Sequence, residues 1–106
     1  MQSPQGGGVA LQAKAMLGYG RLLEKSGNAI TPAAAGPNEF AVHYYQEPST
    51  IFGPATAEES AEGLYLAGQA YDKAGDKADA KKQYDAIVKS YANTSWADKA
   101  KAAGGQ

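Results

Sequence analysis

His43 is the only histidine in this chain of 106 residues, and cysteine is absent. One imidazole without a thiol leaves no Cys/His pair, and no Ser/His/Asp arrangement can be assembled around it. The absence of thiols also excludes disulfide frameworks and thiolate zinc sites. Gly6-Gly7-Gly8 follows no strand and lacks the lysine of a phosphate loop. Glu58, Glu59 and Glu62 sit close together at the start of an expected helix, where acids serve the helix dipole. Asp72, Asp76 and Asp79 surround a turn at Gly75, and Ca²⁺ takes carboxylate and carbonyl oxygens of that kind. Asp76 is equally a helix cap, however, and Lys73 and Lys77 compete for the acids without an EF-hand pattern around them. No catalytic activity, no cofactor and no metal site is expected.

The basic residues point to solvent. Lys77, Lys81, Lys82 and Lys89 share a helix with Asp79 and Asp85, and Asp85 forms i, i+4 pairs with Lys81 and Lys89. A net charge of −1 gives no general grip on nucleic acid or anionic lipid. The charge is unevenly placed: +2 over residues 1–28, −6 over 29–72 and +3 over 73–106. Capping acids explain part of this. An acidic surface that meets the basic end of another molecule explains it as well. Asn93-Thr94-Ser95 fits the N-glycosylation acceptor, and Thr31, Ser49 and Thr50 are hydroxyls near proline of the kind that carry O-linked sugars. Each also serves as a cap or loop residue, and the signals matter only in an exported chain. The N-terminus carries no secretory signal, which places the protein in the cytoplasm, or outside it if the sequence begins after processing. No apolar run approaches the ~20 residues of a membrane span.

The elements that position these residues are helical. Hydrophobic residues make up 43%, enough for a packed domain, and alanine, the best helix former, is about a fifth of the chain. Leu64, Ala67, Gly68 and Tyr71 form an i, i+3, i+4, i+7 stripe, and Ala80, Tyr84, Ile87, Val88 and Tyr91 form another. Ala74-Gly75-Asp76 between them reads as a glycine C-cap followed by an aspartate N-cap, giving helices over 57–74 and 77–91. Met16, Tyr19, Gly20 and Leu23 repeat the first stripe 48 residues earlier, with Gly27 in the place of Gly75. Ala41, Tyr45 and Phe52 repeat Ala80, Tyr84 and Tyr91 at an offset of 39. The difference of 9 residues falls in the proline-containing stretch 28–37, which is read as an exposed loop insertion. In this alignment His43 matches Lys82, a solvated position, and Pro48 matches Ile87. Proline there predicts a kink, or a helix that ends near Glu47 with 49–52 as a separate turn or backbone offered to a partner. Thr56-Ala57-Glu58-Glu59 reads as a capping box, and Ser95-Trp96-Ala97-Asp98 opens a short last helix that stops by Ala103.

Leu64, Ala67, Gly68, Tyr71, Gly75, Ala80 and Tyr84 together resemble the signature of the tetratricopeptide repeat, and residues 61–94 have its 34-residue length. Ile87 and Ala92 depart from that pattern. The resemblance covers residues 10–103 and implies an all-α solenoid of two helical hairpins plus a short C-terminal helix, with a concave binding face. Residues 1–8 and 104–106 are expected to be tails.

Two functions follow. The first is self-assembly. A solenoid hides its apolar face only against the next repeat, and ends that keep Leu11, Leu17, Leu22 and Trp96 predict head-to-tail stacking into a ring or filament. The second is an adaptor that holds another protein's peptide in the concave groove, which is what the resemblance implies. A fragment of a longer array is a third.

Overall fold

Runs of alanine and leucine cut by Gly-Asp, Pro and Asn set the boundaries of the helices. The computed structural model describes residues 5–104. In chain order it contains α1 Gln5–Lys25, α2 Ala41–Ile51, a 3-10 turn Gly53–Thr56, α3 Ala57–Lys73, α4 Lys77–Ser90 and α5 Ala97–Ala103. The described residues contain no strand, and the chain is all-α. The helices expected at 57–74 and 77–91 each end one residue early. The expected N-terminal tail is corrected in part: residues 5–8 belong to α1, and residues 1–4 lie outside the described residues. At the other end Gly104 caps α5, and residues 105–106 lie outside the description.

The first and third helices stop in the same way. Gly27 and Gly75 take φ values of 88° and 86°, a left-handed conformation that only glycine adopts cheaply. The Asn28 N–H donates to Leu23 O, and the Asp76 N–H donates to Tyr71 O, both at 2.9 Å. Gly27 and Gly75 donate to Glu24 O and Asp72 O at 3.0 Å. These are paired glycine-terminated caps that satisfy the last carbonyls of each helix. Asp76 then opens α4 by accepting from the Asp79 N–H at 3.0 Å.

Each hairpin closes on a tyrosine laid over a glycine. Any Cβ at Gly20 would fall 2.7 Å from the Tyr45 ring, and one at Gly68 would fall 2.4 Å from the Tyr84 ring. Both rings are buried. The joint between the hairpins is tighter still. A Cβ at Gly63 would lie 2.0 Å from the backbone oxygen of Tyr45 and 3.0 Å from Leu17. On α1 the residues Ala13, Leu17, Gly20 and Leu23 are buried, with Leu17 reaching the same joint. Tyr19, expected in the inward stripe, is 39% exposed.

Successive helices are neighbours throughout: α1 on α2, α2 on α3, α3 on α4 and α4 on α5. The body measures 47 × 37 × 17 Å, so it is about two helices deep. One core holds Leu17, Leu23, Val42 and Tyr45 with Ala67 and Ala70; the other holds Leu64, Tyr84, Ile87 and Tyr91 with Ala100. Tyr71 packs against both. Pro48 does not end α2, which runs on to Ile51 with Pro48 inside it. Pro48 is fully buried, as Ile87 is, so its ring fills an apolar place that offsets the lost hydrogen bond.

The insertion is non-helical, as expected, and Thr31, Pro32, Ala34 and Ala35 are exposed. It is not a free projection, because Ala29 and Ile30 pack against the first core. Asn28 O and Ala29 O accept from the N–H groups of Ala41 and Val42, at 2.7 and 3.0 Å. The capping box expected at Thr56 is also corrected. Thr56 makes no side-chain cap; its hydroxyl meets Ser60 Oγ at 3.0 Å, and Ser60 donates to Gly53 O. Ser95 does not cap α5 but reaches the Glu58 carboxylate through its N–H and hydroxyl, at 3.2 and 2.8 Å.

Replacing Gly63 by alanine forces α2 and α3 apart, because the obstructing atom is backbone and cannot rotate away. Gly63→Ala is expected to lose about 1–3 kcal/mol of stability despite its better helix propensity. Gly8→Ala meets nothing within 4 Å and is expected to be neutral or stabilising by up to ~1 kcal/mol. Urea denaturation followed by circular dichroism measures both.

Candidate functional site

Chemistry-bearing side chains are largely engaged with one another. Tyr45 Oη donates to Glu24 at 2.6 Å and Tyr84 Oη donates to Asp72 at 2.8 Å, so each tyrosine laid on a glycine is tethered by an acid four residues after that glycine. Lys73 reaches Glu24 at 3.3 Å and Lys77 reaches Asp72 at 3.1 Å. Burial first, and then these carboxylates, push both phenols well above their usual range. The hydrogen bond from Tyr84 is the main reason Asp72 sits below the ordinary aspartate value. The two phenols hold their protons at neutral pH and act as fixed donors to the ionised acids.

A second clamp lies at the insertion. Tyr19 and Tyr44 both donate to the Glu39 carboxylate, Tyr44 at 2.7 Å. Their rings meet edge to face at 4.7 Å. His43 stacks edge-on against Tyr44 at 5.0 Å and places Nε2 3.3 Å from Glu47. His43 is therefore half-buried and paired rather than simply solvated.

The residues singled out from the sequence separate by environment. Asp72, Asp76 and Asp79 do not converge: Asp72 holds Tyr84 and Lys77, Asp76 caps α4, and Asp79 lies 3.5 Å from Lys82. Among the described residues no group of three potential ligands could hold a metal ion. Asn93, Thr31 and Thr50 are exposed, while Ser49 is half-buried with its hydroxyl 2.9 Å from Tyr91 Oη. Leu17, expected at an assembly surface, is 2% exposed in the first core and is withdrawn from that set. Trp96 is half-buried, with its ring 5.4 Å from Tyr65 and Lys99 Nζ 4.6 Å above it. Leu11 and Leu22 remain outside, at 69% and 59% exposure.

These two leucines belong to one stripe. Leu11, Ala15, Gly18 and Leu22 are all exposed, and their spacing of 4, 3 and 4 puts them on one side of α1. This side is opposite the buried line of Ala13, Leu17, Gly20 and Leu23. Lys14, Arg21 and Lys25 border one edge, and Gln12, Tyr19 and Ser26 border the other. Arg21 is paired with Glu62 of α3 at 2.7 Å. The sequence reading found the leucines but missed Ala15 and Gly18 between them, although the spacing alone carries the signal. The far end of the molecule differs. Lys81 is exposed at the place where the first hairpin buries Val42, and Asp98, Lys99 and Lys101 dress α5. A shallow depression between α3, α4 and α5 is lined by Tyr65, Gln69, Lys73 and Ala103. No helix of the described chain is long and apolar enough to cross a membrane.

The Glu39 clamp sets a pH dependence at both extremes. Hydrogen bonds from Tyr19 and Tyr44 hold Glu39 below the ordinary glutamate value. Its contribution is therefore present above the unfolded value and is lost as the pH falls through the lower folded one. Tyr44 is pushed up to about 12, chiefly by Glu39, so its contribution is complete below its ordinary value of 10.0 and is lost as the pH rises towards 12. Tyr44→Phe is expected to flatten the alkaline limb of stability, and Glu39→Gln the acid limb. Urea midpoints from acid to alkaline pH, with tyrosinate absorbance, check the two signs.

Comparison with known proteins adds no identity to this geometry: no family model matches the chain, and no curated protein or solved structure matches it.

Proposed function

We propose that this chain is a non-catalytic, tetratricopeptide-like association module that assembles with copies of itself through the outer face of α1. Three features support the hairpin-repeat reading: the two matching glycine caps, the two tyrosines tethered over glycines, and the packing of each helix on its chain neighbours. The observation that carries the association is the distribution of exposed apolar bulk. Among the described residues four large hydrophobic side chains are exposed: Leu11, Tyr19 and Leu22 lie on α1, and Ile51 lies on α2. Burying a leucine side chain fully contributes ~1.5–3 kcal/mol, so a contact over this stripe is a substantial driving force. Head-to-tail stacking needs a matching apolar face at the other end. Lys81 and the charged surface of α5 disfavour it, and Trp96 is already covered in part by Tyr65 and Lys99.

The depression beside Tyr65 and Gln69 favours a second reading, an adaptor that holds a partner's peptide there. Sedimentation velocity across a range of concentrations separates the two. The unaltered protein is expected to associate as concentration rises, and Leu11→Glu/Leu22→Glu to stay monomeric with unchanged helicity. Tyr65→Ala/Gln69→Ala is expected to leave association intact. A wild type that is monomeric at every concentration rejects the self-assembly reading.

A further inference from the structure

We propose that Tyr19 and Tyr44 are a site of oxidative cross-linking, at which a peroxide acting through a haem peroxidase joins an ortho carbon of one ring to an ortho carbon of the other, and the resulting dityrosine latches α1 to α2. The two rings meet edge to face with their centroids 4.7 Å apart, which is van der Waals contact. Their hydroxyls converge on one group: Tyr19 donates to one oxygen of the Glu39 carboxylate and Tyr44 to the other. The reactive ortho carbons flank the hydroxyl, so the shared carboxylate gathers the reacting edges of both rings. Tyr19 is exposed and open to an oxidant, and Tyr44 is half-buried beside it.

Each phenol gives one electron to the oxidant and releases one proton, and the two electrons and two protons convert one hydrogen peroxide into two waters. The two tyrosyl radicals couple through a new carbon–carbon bond. The hydrogen on each joined carbon then moves to its own oxygen, which restores both phenols, so the chain loses two hydrogen atoms in all. Glu39 is the first proton acceptor. Hydrogen bonds from the two phenols hold it below the ordinary glutamate value, so it is ionised at neutral pH and lies within reach of both protons. Other close tyrosines lack this combination. Tyr65 and Tyr84 approach to 5.7 Å, but Tyr84 is buried with its hydroxyl on Asp72. Tyr45 is buried with its hydroxyl on Glu24. The chain has no cysteine, so no disulfide competes for this role. The link closes residues 19–44, the insertion included, into one covalent loop, which restricts the unfolded chain as a disulfide does.

The test treats the full chain, at high dilution, with a haem peroxidase and hydrogen peroxide. The single chain is expected to lose two hydrogen atoms by intact mass and to gain dityrosine fluorescence. Cleavage after lysine and arginine reads the site, because residues 15–21 hold Tyr19 as their only tyrosine and residues 26–73 hold Tyr44. The expected product is these two peptides joined, with fragmentation placing the bond at Tyr44 and not at Tyr45. Tyr19→Phe and Tyr44→Phe should each abolish it, and Tyr65→Phe should leave it unchanged, with circular dichroism showing that each variant keeps its helices. Glu39→Gln, which takes up no proton, should slow it by about tenfold or more. The linked chain should unfold at a higher urea concentration than the unlinked one. Absence of the joined peptides, bonds formed only between chains, or a full yield from Tyr19→Phe overturns the site. An unchanged rate in Glu39→Gln overturns the part given to the carboxylate, and an unchanged urea midpoint overturns the latch.

Discussion

The tyrosine laid on a glycine and tied by its hydroxyl to a carboxylate is the contact on which the rest of the structure depends. Gly20 with Tyr45 and Glu24 makes it once, and Gly68 with Tyr84 and Asp72 makes it again. The glycine lets the paired helices come close, the ring fills the space left, and the acid gives the buried end of the phenol a partner. None of the three substitutes for another. A larger residue at the glycine meets the ring, and a residue without a hydroxyl leaves the acid with its lysine alone. The carboxylates also reach Lys73 and Lys77, so a buried fit and a surface ion pair meet on the same oxygen-bearing groups.

The two hairpins repeat this contact but differ in what they present outward. Val42 is buried beneath α3, while Lys81 in the corresponding place faces water, because α5 stops at Ala103 and does not run along α4 as α3 runs along α2. On the other side, among the described residues, no helix packs on the outer face of α1, which carries Leu11 and Leu22 outward. The molecule thus has one polar end and one apolar end. This asymmetry, rather than the repeat itself, directs the functional reading.

The second hairpin was legible from sequence nearly to the residue, because each of its signals is local: an apolar stripe, Gly75 at a positive φ and Asp76 as a cap. The tethered tyrosines were visible only as a repeated spacing, since the acids that hold them belong to a different helix. What escaped the sequence depends on contacts between distant segments. Gly63 carries no mark of its closeness to Tyr45, and Leu17 lies in the core beside that joint while Tyr19 faces out. Glu58 and Ser95 each resemble a cap, but they bond to one another across 37 residues. Pro48 signals a break, and its burial, like that of its counterpart Ile87, explains why the helix continues. The apolar stripe of α1 was half legible, because glycine and alanine do not look like surface signals until their neighbours are known to be exposed.

The tight joint at Gly63 also orders the molecule's fluctuations. The Gly63 approach locks α2 to α3 at the centre, whereas α5 is short and α1 is covered on one side only. Terminal helices of this kind open first, with free energies below that of global unfolding, and their amide protons exchange with solvent soonest. Whatever binds the outer face of α1 binds only its closed form, and so holds shut a helix that the rest of the chain covers on one side only. Occupancy of that face would then be recorded as slower hydrogen exchange along α1, while exchange at the α2–α3 centre stays as it was.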